Sequence, residues 1–485
     1  MVEKRQEHLA LVRFGGELFI KSKRTRAAFI RRLVRNLEDA VAGLSGDASV
    51  ERGWDRLFVH ADDASVYPTV ARVFGVSSIS RVEAVTPATV ADILAAGEAF
   101  IERVRGRTFA IRARRAGEHD FSSQDVQVEL GNLLLDASAG VDLDAPEVEV
   151  FVEVRNERAY LFAEKMVGAR GLPLGVEGKA VTLLSGGFDS AVAAWLMLKR
   201  GITQDYVFCN LGGDAYERAV VQVGKVLADS WSYGTRPRLH VVDFAGPLDE
   251  LRSHVKAKYW QVVLKRLMYR AASAVGAEIG AEAIITGEAV GQVSSQTLTN
   301  LRAIEPAAAL PLFRPLLGFD KEEIIERARA VGTAVLSEQV KEYCAIAPGR
   351  PVTSASVSAV AGEERKVDLS VVDHAVADRK VLALRDLTPT DLVAPYLFTE
   401  EVPDHAVVLD CRPESAYRHW HLPGAERKDE WELLRRYGSL DRDAHYVLYC
   451  GHGIQSAHIA ERMQQAGYEA YSFRGGVKAL KEWAE

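Results

Sequence analysis

The spacing of apolar positions changes several times along the chain, and each change predicts a different kind of element. Residues 8–20 (HLALVRFGGELFI) alternate as a strand does. The next apolar positions recur at the spacing of one helix face, at Phe29, Leu33, Leu37 and Val41. Strand and helix patterns follow in RLFVHA and near residues 67–74. We therefore predict a small α+β domain at the N-terminus.

A second mixed pattern covers residues 75–170. RTFAIRARR is typical of a strand, and SSQDVQVELGNLLLDA of a helix that begins near Ser122 or Ser123. VEVFVEVRNERAYLFAEK predicts a β-hairpin, and the following GARGLPLG is a Gly/Pro-rich hinge.

From residue 180 to about 345, strand patterns (VTLLS, DYVFCNL, RLHVVDF, AIITGEA) alternate with helix patterns. This alternation predicts a parallel sheet covered by helices on both faces. APGRPVTSASVSAV then predicts a connector. Residues 404–485, with the strand patterns VVLDCR, YVLYCG and EAYSF, predict another small α/β unit.

Composition favours several soluble domains. The 485 residues exceed one ordinary core, and 48% hydrophobic with 26% charged residues fits a globular protein. No apolar run reaches the roughly 18–20 residues of a membrane helix, and the N-terminus lacks a secretory signal pattern. Four cysteines are too few for a disulfide scaffold, so we expect a reducing, cytoplasmic location and no membrane.

Basic residues are concentrated in the first quarter of the chain, although the net charge is −7. Residues 21–35 contain seven basic residues and no acid, and residues 103–115 contain six arginines and no acid. These clusters supply the candidate RNA-binding residues, namely Lys21, Arg24, Arg31, Arg35, Arg112, Arg114 and Arg115.

The stretch SGGFDS joins a buried strand to a buried helix at residues 185–190. Glycines let a ligand approach the backbone, and the helix N-terminus offers free N–H groups to anionic oxygen. The plain alternative is a tight turn in which Asp or Ser caps the helix. No GxxxxGK[ST] loop occurs, so hydrolysis of a β,γ-phosphate bond is the weaker hypothesis.

SGGFDS resembles the pyrophosphate loop (PP-loop) of the ATP pyrophosphatases, which are adenylating enzymes. The resemblance implies attack on the α-phosphorus of ATP. Asp189 would then position Mg²⁺ or the activated substrate. The residues that would hold the leaving pyrophosphate are Ser185, Gly186, Gly187 and Ser190.

Lys321 lies in a second segment that suits phosphate. Asp320 and Glu323 fit a capping box, which puts Lys321 in the first turn of a helix, where the dipole disfavours a cation. A solvated surface lysine is the alternative. A lysine and a helix N-terminus directed at the same phosphates explain the position better.

Further segments surround SGGFDS in a fixed order, including FCNLGGDAYERAVVQVGKVL, KYWQVVLKRLMYRAAS, GEAVGQVSSQTLTN, RPLLGFDKEEI and EYCAI. Together they resemble the tRNA 4-thiouridine synthetases (tRNA uridine 4-sulfurtransferases). RTFAIRARRAGEHDFSSQDVQVELG and GLPLG resemble a THUMP RNA-binding domain, which in that family follows a ferredoxin-like domain. LDCRPESAYRHWHLPGA and YCGHGIQSAHIAERMQQAGY resemble a rhodanese, as in the longer branch of the family.

The resemblance implies an α/β multidomain fold. We expect an N-terminal ferredoxin-like α+β domain over residues 1–60 and a THUMP domain over 61–165. A PP-loop domain with a parallel sheet, like the adenine nucleotide α-hydrolases, would span 166–347. A linker over 348–403 and a rhodanese domain over 404–485 would complete the chain.

The family pattern also implies a set of ATP contacts. Gly287 follows the strand AIIT at the carboxyl edge of the sheet, where ligands bind in open α/β folds. By position alone, Leu183 and Leu184 are core residues more often than ligands; only their backbone would contact ATP. The implied contacts are Leu183, Leu184, Lys265, Gly287 and Gln296. The cofactors expected are ATP and its Mg²⁺, without flavin, haem or structural zinc.

Cys450 ends a strand and begins the loop GHGIQS before a helix, where backbone N–H groups favour a thiolate or persulfide. A Cys-x5-Arg phosphatase would need arginine at position 456, which is Ser456, so sulfur suits the loop better than phosphate. Many rhodaneses carry arginine where this chain has Gln455. Persulfide stabilisation would then depend on amides, with His452 or Ser456 as further donors.

Cys344, in EYCAI, is by itself more often a packing residue, but the resemblance implies that it is the partner of Cys450 in a redox-active disulfide. Such a disulfide requires the two Cα atoms to come within about 7 Å, so we expect mobility over residues 348–403. We expect Cys209 and Cys411 to be core residues.

The implied reaction converts uridine 8 of tRNA to 4-thiouridine. O4 attacks the α-phosphate of ATP, and a Cys450 persulfide loaded by a cysteine desulfurase then delivers sulfur to C4. Either Cys344 releases sulfide from Cys450 first, or it resolves the mixed disulfide afterwards; both routes leave a disulfide for a reductant to open. A homodimer is compatible with the sequence.

Three alternatives stay open. A lysidine-forming or amide-forming PP-loop ligase would need neither cysteine. An RNA-binding sulfur carrier would supply sulfur to a thiazole-forming carrier protein in thiamine biosynthesis, which the resemblance implies as a second role. An RNA methyltransferase with a THUMP domain would need a glycine-rich S-adenosylmethionine loop after a first strand, which we do not find.

Overall fold

The computed structural model describes residues 8–44, 46–53, 55–211, 213–338, 340, 350–388, 392, 395–429, 432–433, 436–451 and 453–484. The chain divides into two compact units, one of Met1–Ser22 and Leu37–Arg170 and the other of Lys23–Asn36 and Gly171–Glu485. Helix α1, Lys23–Val41, contributes residues to both.

Short strands and helices build the first unit. Its strands are β1 His8–Phe14, β2 Ala48–Arg52, β3 Leu57–Ala61, β4 Val76–Val82, β5 Ala84–Pro87, β6 Thr108–Ala116, β7 Gly140–Val141, β8 Val148–Arg155, β9 Arg158–Phe162 and β10 Lys165–Val167. Its further helices are α2 Val66–Ala71, α3 Val90–Gly97, α4 Ile101–Val104 and α5 Ser123–Leu135. The strands form two sheets, ordered β10-β4-β1-β3-β2 and β5-β9-β8-β6-β7.

Local chemistry explains the elements that were predicted best here. Helix α5 begins after Ser122, whose side chain forms a capping box with Asp125, as expected from SSQD. Strands β8 and β9 pair as the predicted hairpin, and Asn156 in its turn has a φ of 52°.

The first sheet extends beyond the predicted boundary at residue 60. Strand β4 pairs with β1. Strand β10 pairs with β4, although in the sequence it follows all the strands of the second sheet. Periodicity predicts that a segment is a strand, but it does not say which distant strand supplies the partner.

The second unit contains a mostly parallel sheet. Its strands are β11 Lys179–Leu183, β12 Thr203–Asn210, β13 Arg238–Asp243, β14 Ala283–Ile285, β15 Leu312–Phe313 and β16 Lys380–Ala383, in the order β15-β14-β11-β12-β13-β16. Only β16 among them runs antiparallel to its neighbour. Neighbouring β11 residues Ala180 and Val181 belong to different hydrophobic clusters, so both faces of the sheet are covered, as predicted.

Helices connect and cover these strands. They are α6 Phe188–Leu198, α7 Gly213–Trp231, α8 Ala245–His254, α9 Trp260–Ile279, α10 Leu298–Ile304, α11 Lys321–Val331, α12 Ala334–Ser337, α13 Val357–Glu364 and α14 Ser370–Ala377.

The structure differs from the predicted linker over much of residues 348–403, whereas the expected mobility of this segment stays a prediction. Helices α13 and α14 place Val360 and Val372 in the core on one face of the sheet, and β16 pairs with β13. Glu364, which is buried, accepts hydrogen bonds from Arg266 and Arg270 of α9. Residues 355–384 are therefore packed as part of the parallel-sheet domain.

The C-terminal part of this unit has its own parallel sheet, ordered β17-β21-β20-β18-β19. The strands are β17 Phe398–Thr399, β18 Val407–Asp410, β19 Glu426–Arg427, β20 His445–Tyr449 and β21 Glu469–Phe473. The helices are α15 Glu414–His419, α16 Ile454–Gln465 and α17 Gly476–Ala484. Three of the strands are those predicted from VVLDCR, YVLYCG and EAYSF. In the described residues, no helix has the length and hydropathy required to cross a membrane.

Candidate functional site

The parallel sheet has a switch point between β11 and β14, which are neighbours although two strands separate them in the chain. Open α/β sheets bind ligands at such a point, beyond the carboxyl ends of the strands. SGGFDS follows β11 and Gly287 follows β14, so both predicted segments meet at this edge.

The SGGFDS loop is closed by its own serines. Ser190 Oγ accepts hydrogen bonds from the backbone N and the Oγ of Ser185, each at 3.2 Å, and donates to the carbonyl of Gly187 at 3.1 Å. Gly186 has a φ of +78°, a conformation that favours glycine. Helix α6 then begins at Phe188 with Gly187 as its N-cap. The loop therefore presents a helix N-terminus at the edge of the sheet.

One cavity of about 360 Å³ brings the predicted ATP-binding residues together. Gly186 is not among the lining residues. The predicted residues that line it are Leu183, Leu184, Ser185, Gly187, Asp189, Ser190, Lys265, Gly287, Gln296 and Lys321. Gln296 is buried, and in the described structure its Oε1 has no hydrogen-bond donor. The cavity wall thus contains an acceptor available to a ligand.

Asp189 is held between two side chains. Lys321 Nζ lies 2.9 Å from one carboxylate oxygen, and Gln292 Nε2 donates to the other at 2.8 Å. The capping box of Asp320 and Glu323 is present and starts α11 as predicted. The first-turn position of Lys321 therefore directs its ammonium group across the cavity to the SGGFDS loop.

Sequence reasoning missed Glu288, which is buried in the cavity wall. It accepts hydrogen bonds from Tyr269, Thr286 and Arg314, and Lys265 Nζ lies 3.8 Å from its other oxygen. Burial acts to raise the pKa of Glu288, but Lys265, Tyr269 and Arg314 outweigh it and hold the pKa below its usual value. The sequence feature that could have predicted Glu288 as a site residue is its position directly after Gly287, at the end of a strand. Gln292, four positions later, carried no comparable signal.

A magnesium ion would depend on the nucleotide for most of its ligands. Across the described ranges, no group of three or more His, Cys, Asp and Glu side chains is placed to hold a metal ion. The donors therefore fit Mg²⁺ that arrives with ATP, with Asp189 as the carboxylate available from the loop.

Cys450 follows β20 and is 2% exposed. Its Sγ accepts hydrogen bonds from Gly453 N at 3.1 Å and Ser456 Oγ at 3.2 Å, two of the kinds of donor that were predicted. Its thiol donates to Gln455 Oε1 at 3.2 Å. His452 lies outside the described residues. The loop therefore surrounds sulfur with amide and hydroxyl groups.

The other cysteines divide into core and cavity positions. Cys411 is buried in the C-terminal sheet region, as expected. Cys209 is also buried but lines the nucleotide cavity. Cys344 lies outside the described residues. Val340, four residues earlier, lines the cavity and adjoins Gly186.

The predicted RNA-binding residues occupy two surfaces, one in each unit. On α1, Arg24, Arg31 and Arg35 are exposed, whereas Arg32 donates to the carbonyls of Leu174 and Gly234 and is structural. Lys21, which belongs to the first unit, is partly buried.

Arg112 and Arg114 of β6 line a cavity of about 760 Å³ within the first unit, together with Arg13 and Lys165. Arg112 is already paired with Glu149 at 2.8 Å, and Arg115 donates to the carbonyl of Gly117. This wall therefore combines exposed cations with paired ones.

Four family models match successive parts of the chain. They are the ThiI ferredoxin-like domain over residues 9–80, the THUMP domain over 88–164, the thiamine biosynthesis protein (ThiI) over 175–369, and the rhodanese-like domain over 397–482. The predicted α/β multidomain fold class is thereby confirmed.

Full-length relatives match as well. The tRNA sulfurtransferase of Pyrobaculum aerophilum is 38% identical over 95% of both chains, and that of Desulfurococcus amylolyticus is 37% identical over 98% of both. A crystal structure of a 4-thiouridine synthetase–RNA complex with bound ATP is 34% identical, with a TM-score of 0.68 over 78% of this chain and 99% of that one. The chain belongs to the tRNA sulfurtransferase family, in the form that carries a C-terminal rhodanese-like domain.

Proposed function

We propose that the protein is an ATP-dependent tRNA sulfurtransferase that converts uridine 8 to 4-thiouridine. The observation that carries the proposal is the single cavity at the switch point, which collects the SGGFDS loop, Lys265, Lys321 and Gln296 in a member of this family.

ATP fits this cavity by charge and by hydrogen-bonding capacity. The N-terminus of α6 and the ammonium groups of Lys265 and Lys321 suit the phosphates. Gln296 Oε1 suits a donor of the base or ribose. Uridine O4 attacks the α-phosphorus and pyrophosphate leaves toward the loop. Asp189, which contacts Lys321 and Gln292, would position the metal or the activated base.

The sulfur arrives on Cys450. A cysteine desulfurase persulfide exchanges with the Cys450 thiol, which leaves a desulfurase thiol and a Cys450 persulfide. The terminal sulfur attacks C4 of the adenylated base and AMP leaves. Cys344 then attacks the inner sulfur, the thiolated base departs, and a reductant opens the Cys344–Cys450 disulfide. In the alternative order, Cys344 first releases hydrosulfide, which attacks C4. In both orders of reaction, the atoms and electrons balance.

Two substitutions separate adenylation from sulfur transfer. Cys450→Ser should abolish 4-thiouridine while the enzyme still adenylates tRNA and releases pyrophosphate, whereas Asp189→Ala should suppress both thiolation and pyrophosphate release by about 100-fold or more, as expected for groups at a charged transition state. The measurements are mass spectrometry of digested tRNA and pyrophosphate release. Cys411→Ser, the same change at another buried cysteine of the C-terminal domain, is the matched control. Retained thiolation in Cys450→Ser would refute the sulfur relay.

A second role in thiamine biosynthesis is supported by the family model over residues 175–369, which is described as a thiamine biosynthesis protein. We propose that the C-terminal domain passes its sulfur to a thiazole-forming carrier protein. Residues 395–485, which include β17 and so complete the sheet, should rescue thiamine auxotrophy of a deletion strain without the SGGFDS domain. A strain that still requires thiamine with this fragment would contradict the role.

A further inference from the structure

Gln455, a side chain of the Cys450 loop, forms a hydrogen bond to the parallel-sheet domain, against which Cys450 also packs. Its Nε2 donates to the carbonyl of Gly332 at 3.2 Å, and its Oε1 accepts from the Cys450 thiol at 3.2 Å. Gly332 is the left-handed C-cap of α11, the helix that begins with Lys321. One amide therefore joins the sulfur site to the end of a helix whose start lies in the nucleotide cavity.

The Gly332 carbonyl determines which end of the amide faces sulfur. A carbonyl only accepts hydrogen bonds, so Gln455 must present its N–H group to Gly332 and its oxygen to Cys450. An oxygen beside Cys450 is favourable when the sulfur carries hydrogen. The observed contact is thus matched to the unloaded thiol.

A loaded cysteine is incompatible with this arrangement. In a persulfide the inner sulfur has exchanged its hydrogen for a second sulfur, so it has nothing to donate to Gln455. The new bond is about 2.05 Å long, and along the thiol direction it would bring the outer sulfur to roughly 1 Å from Oε1. A persulfide in this direction requires a neighbouring group to move, and in any direction the inner sulfur no longer donates a hydrogen bond to Gln455.

Of the three groups that contact Cys450 Sγ, Gln455 is the one whose side chain can change conformation. The other two contacts come from the backbone of Gly453 and from Ser456, which is buried and hydrogen-bonded to Ser472. Gln455 is only partly buried, and its side chain has three rotatable bonds. Its displacement also breaks the bond to Gly332.

Resting on the proposed function, we propose that Gln455 is a positioning residue that couples the sulfur load of Cys450 to the docking of the C-terminal domain on α11 and α12. The thiol holds the domain docked and Cys450 covered. The persulfide displaces Gln455, releases the Gly332 carbonyl and frees the loop to carry its sulfur elsewhere.

Methyl methanethiosulfonate tests the coupling because it converts the thiol to Cys450–S–S–CH3, with methanesulfinic acid as the other product. The full-length protein would carry Cys344→Ser, and peptide mass spectrometry would assign the adduct. Gln455→Leu should react at Cys450 about five times faster than the Cys344→Ser parent, as expected for loss of a hydrogen bond across the contact. Gln464→Leu is the matched control, because the Gln464 side chain donates to the carbonyl of Ala470 within the C-terminal domain.

Hydrogen exchange supplies the decisive readout, measured in α12 and α16, which pack together. Modification should speed exchange in the parent and add nothing to Gln455→Leu, since the connection is already lost. Equal reactivity of Gln455→Leu and the parent, or an equal effect of modification on both, overturns the proposal. Neither measurement contains tRNA or ATP, so a failure of 4-thiouridine formation would count against the proposed function alone.

Discussion

Gly287 is the residue at which the two halves of the nucleotide site come closest. A Cβ at this position would lie 2.6 Å from the carbonyl carbon of Asp189 and 2.6 Å from the nitrogen of Ser190. Both are backbone atoms in the first turn of α6, so no flexible side chain can yield. The side-chain-free position therefore allows β14 and the SGGFDS loop to line one cavity.

Gly287→Ala should push these two segments apart. We expect a loss of about 1–3 kcal/mol in the free energy of unfolding, and ATP affinity lowered about tenfold. Thermal denaturation and calorimetric titration with ATP measure the two effects. Gly318→Ala is the control, because a Cβ there meets nothing within 4 Å. Unchanged ATP affinity in Gly287→Ala would show that the close approach does not shape the site.

At the scale of the element, α16 combines a sulfur-binding N-terminus with a buried histidine. His458 is buried, and its Nε2 has no hydrogen-bond partner in the part of the chain that the structure describes. Burial, with a smaller contribution from the charge of Arg462, lowers the pKa of His458 from 6.5 to about 4. The helix is therefore packed around a neutral imidazole.

This depressed pKa makes the stability of the C-terminal domain depend on pH. Between pH 6.5 and 4 the unfolded chain binds the proton and the folded chain does not, so the free energy of unfolding falls as pH falls. The loss approaches about 3 kcal/mol once the pH is below 4. Hydrogen exchange of α16 and β20 amides should accelerate over this range, and His458→Leu should flatten the dependence. The same slope in His458→Leu and wild type would refute the assignment.

Helices α13 and α14 show how an element can depend on a distant one. Their sequences are short and valine-rich, and α13 begins within the stretch that resembles a connector. Their apolar residues become core against α8, α9 and α10, and Glu364 is paired with arginines of α9. These covering helices come much earlier in the chain, so local pattern alone under-predicted this part of the domain.

At the scale of the whole molecule, charge is distributed unevenly. The net charge is −7, yet Arg24, Arg31 and Arg35 are exposed together on α1. Phosphate contacts release counterions, so binding of tRNA at such a cluster would show a salt dependence that reports the number of contacts. The cluster therefore offers a local positive surface on an acidic protein.

Replacing Arg24, Arg31 and Arg35 together by alanine should reduce the slope of log K against log salt for tRNA by about 2–3. Fluorescence anisotropy with labelled tRNA from low to moderate salt measures the slope. Arg418→Ala with Arg436→Ala is the control, since both are exposed arginines of the C-terminal domain paired with nearby glutamates. An unchanged slope in the triple variant would exclude α1 from the RNA-binding surface.

The sequence by itself determined the elements and the chemistry that depends on local order. Adjacent residues are enough to predict the SGGFDS loop, the capping boxes at Ser122 and Asp320, and the main strands. The hydrogen bonds of a capping box and the periodicity of a strand are both local. The family resemblance also implied a set of ATP contacts, and the structure shows that these residues line one cavity.

Only the tertiary structure decided which distant residues meet. Three contacts join segments separated by up to 123 positions. They are the hydrogen bond from Gln292 to Asp189, the ion pair of Lys265 with Glu288, and the hydrogen bonds of Gln455 with Cys450 and Gly332. Such contacts have no period or spacing in the sequence, because they arise from the strand order of the sheet and from how covering elements pack on it. The same physical reason places strand β16 and its two preceding helices in the catalytic core.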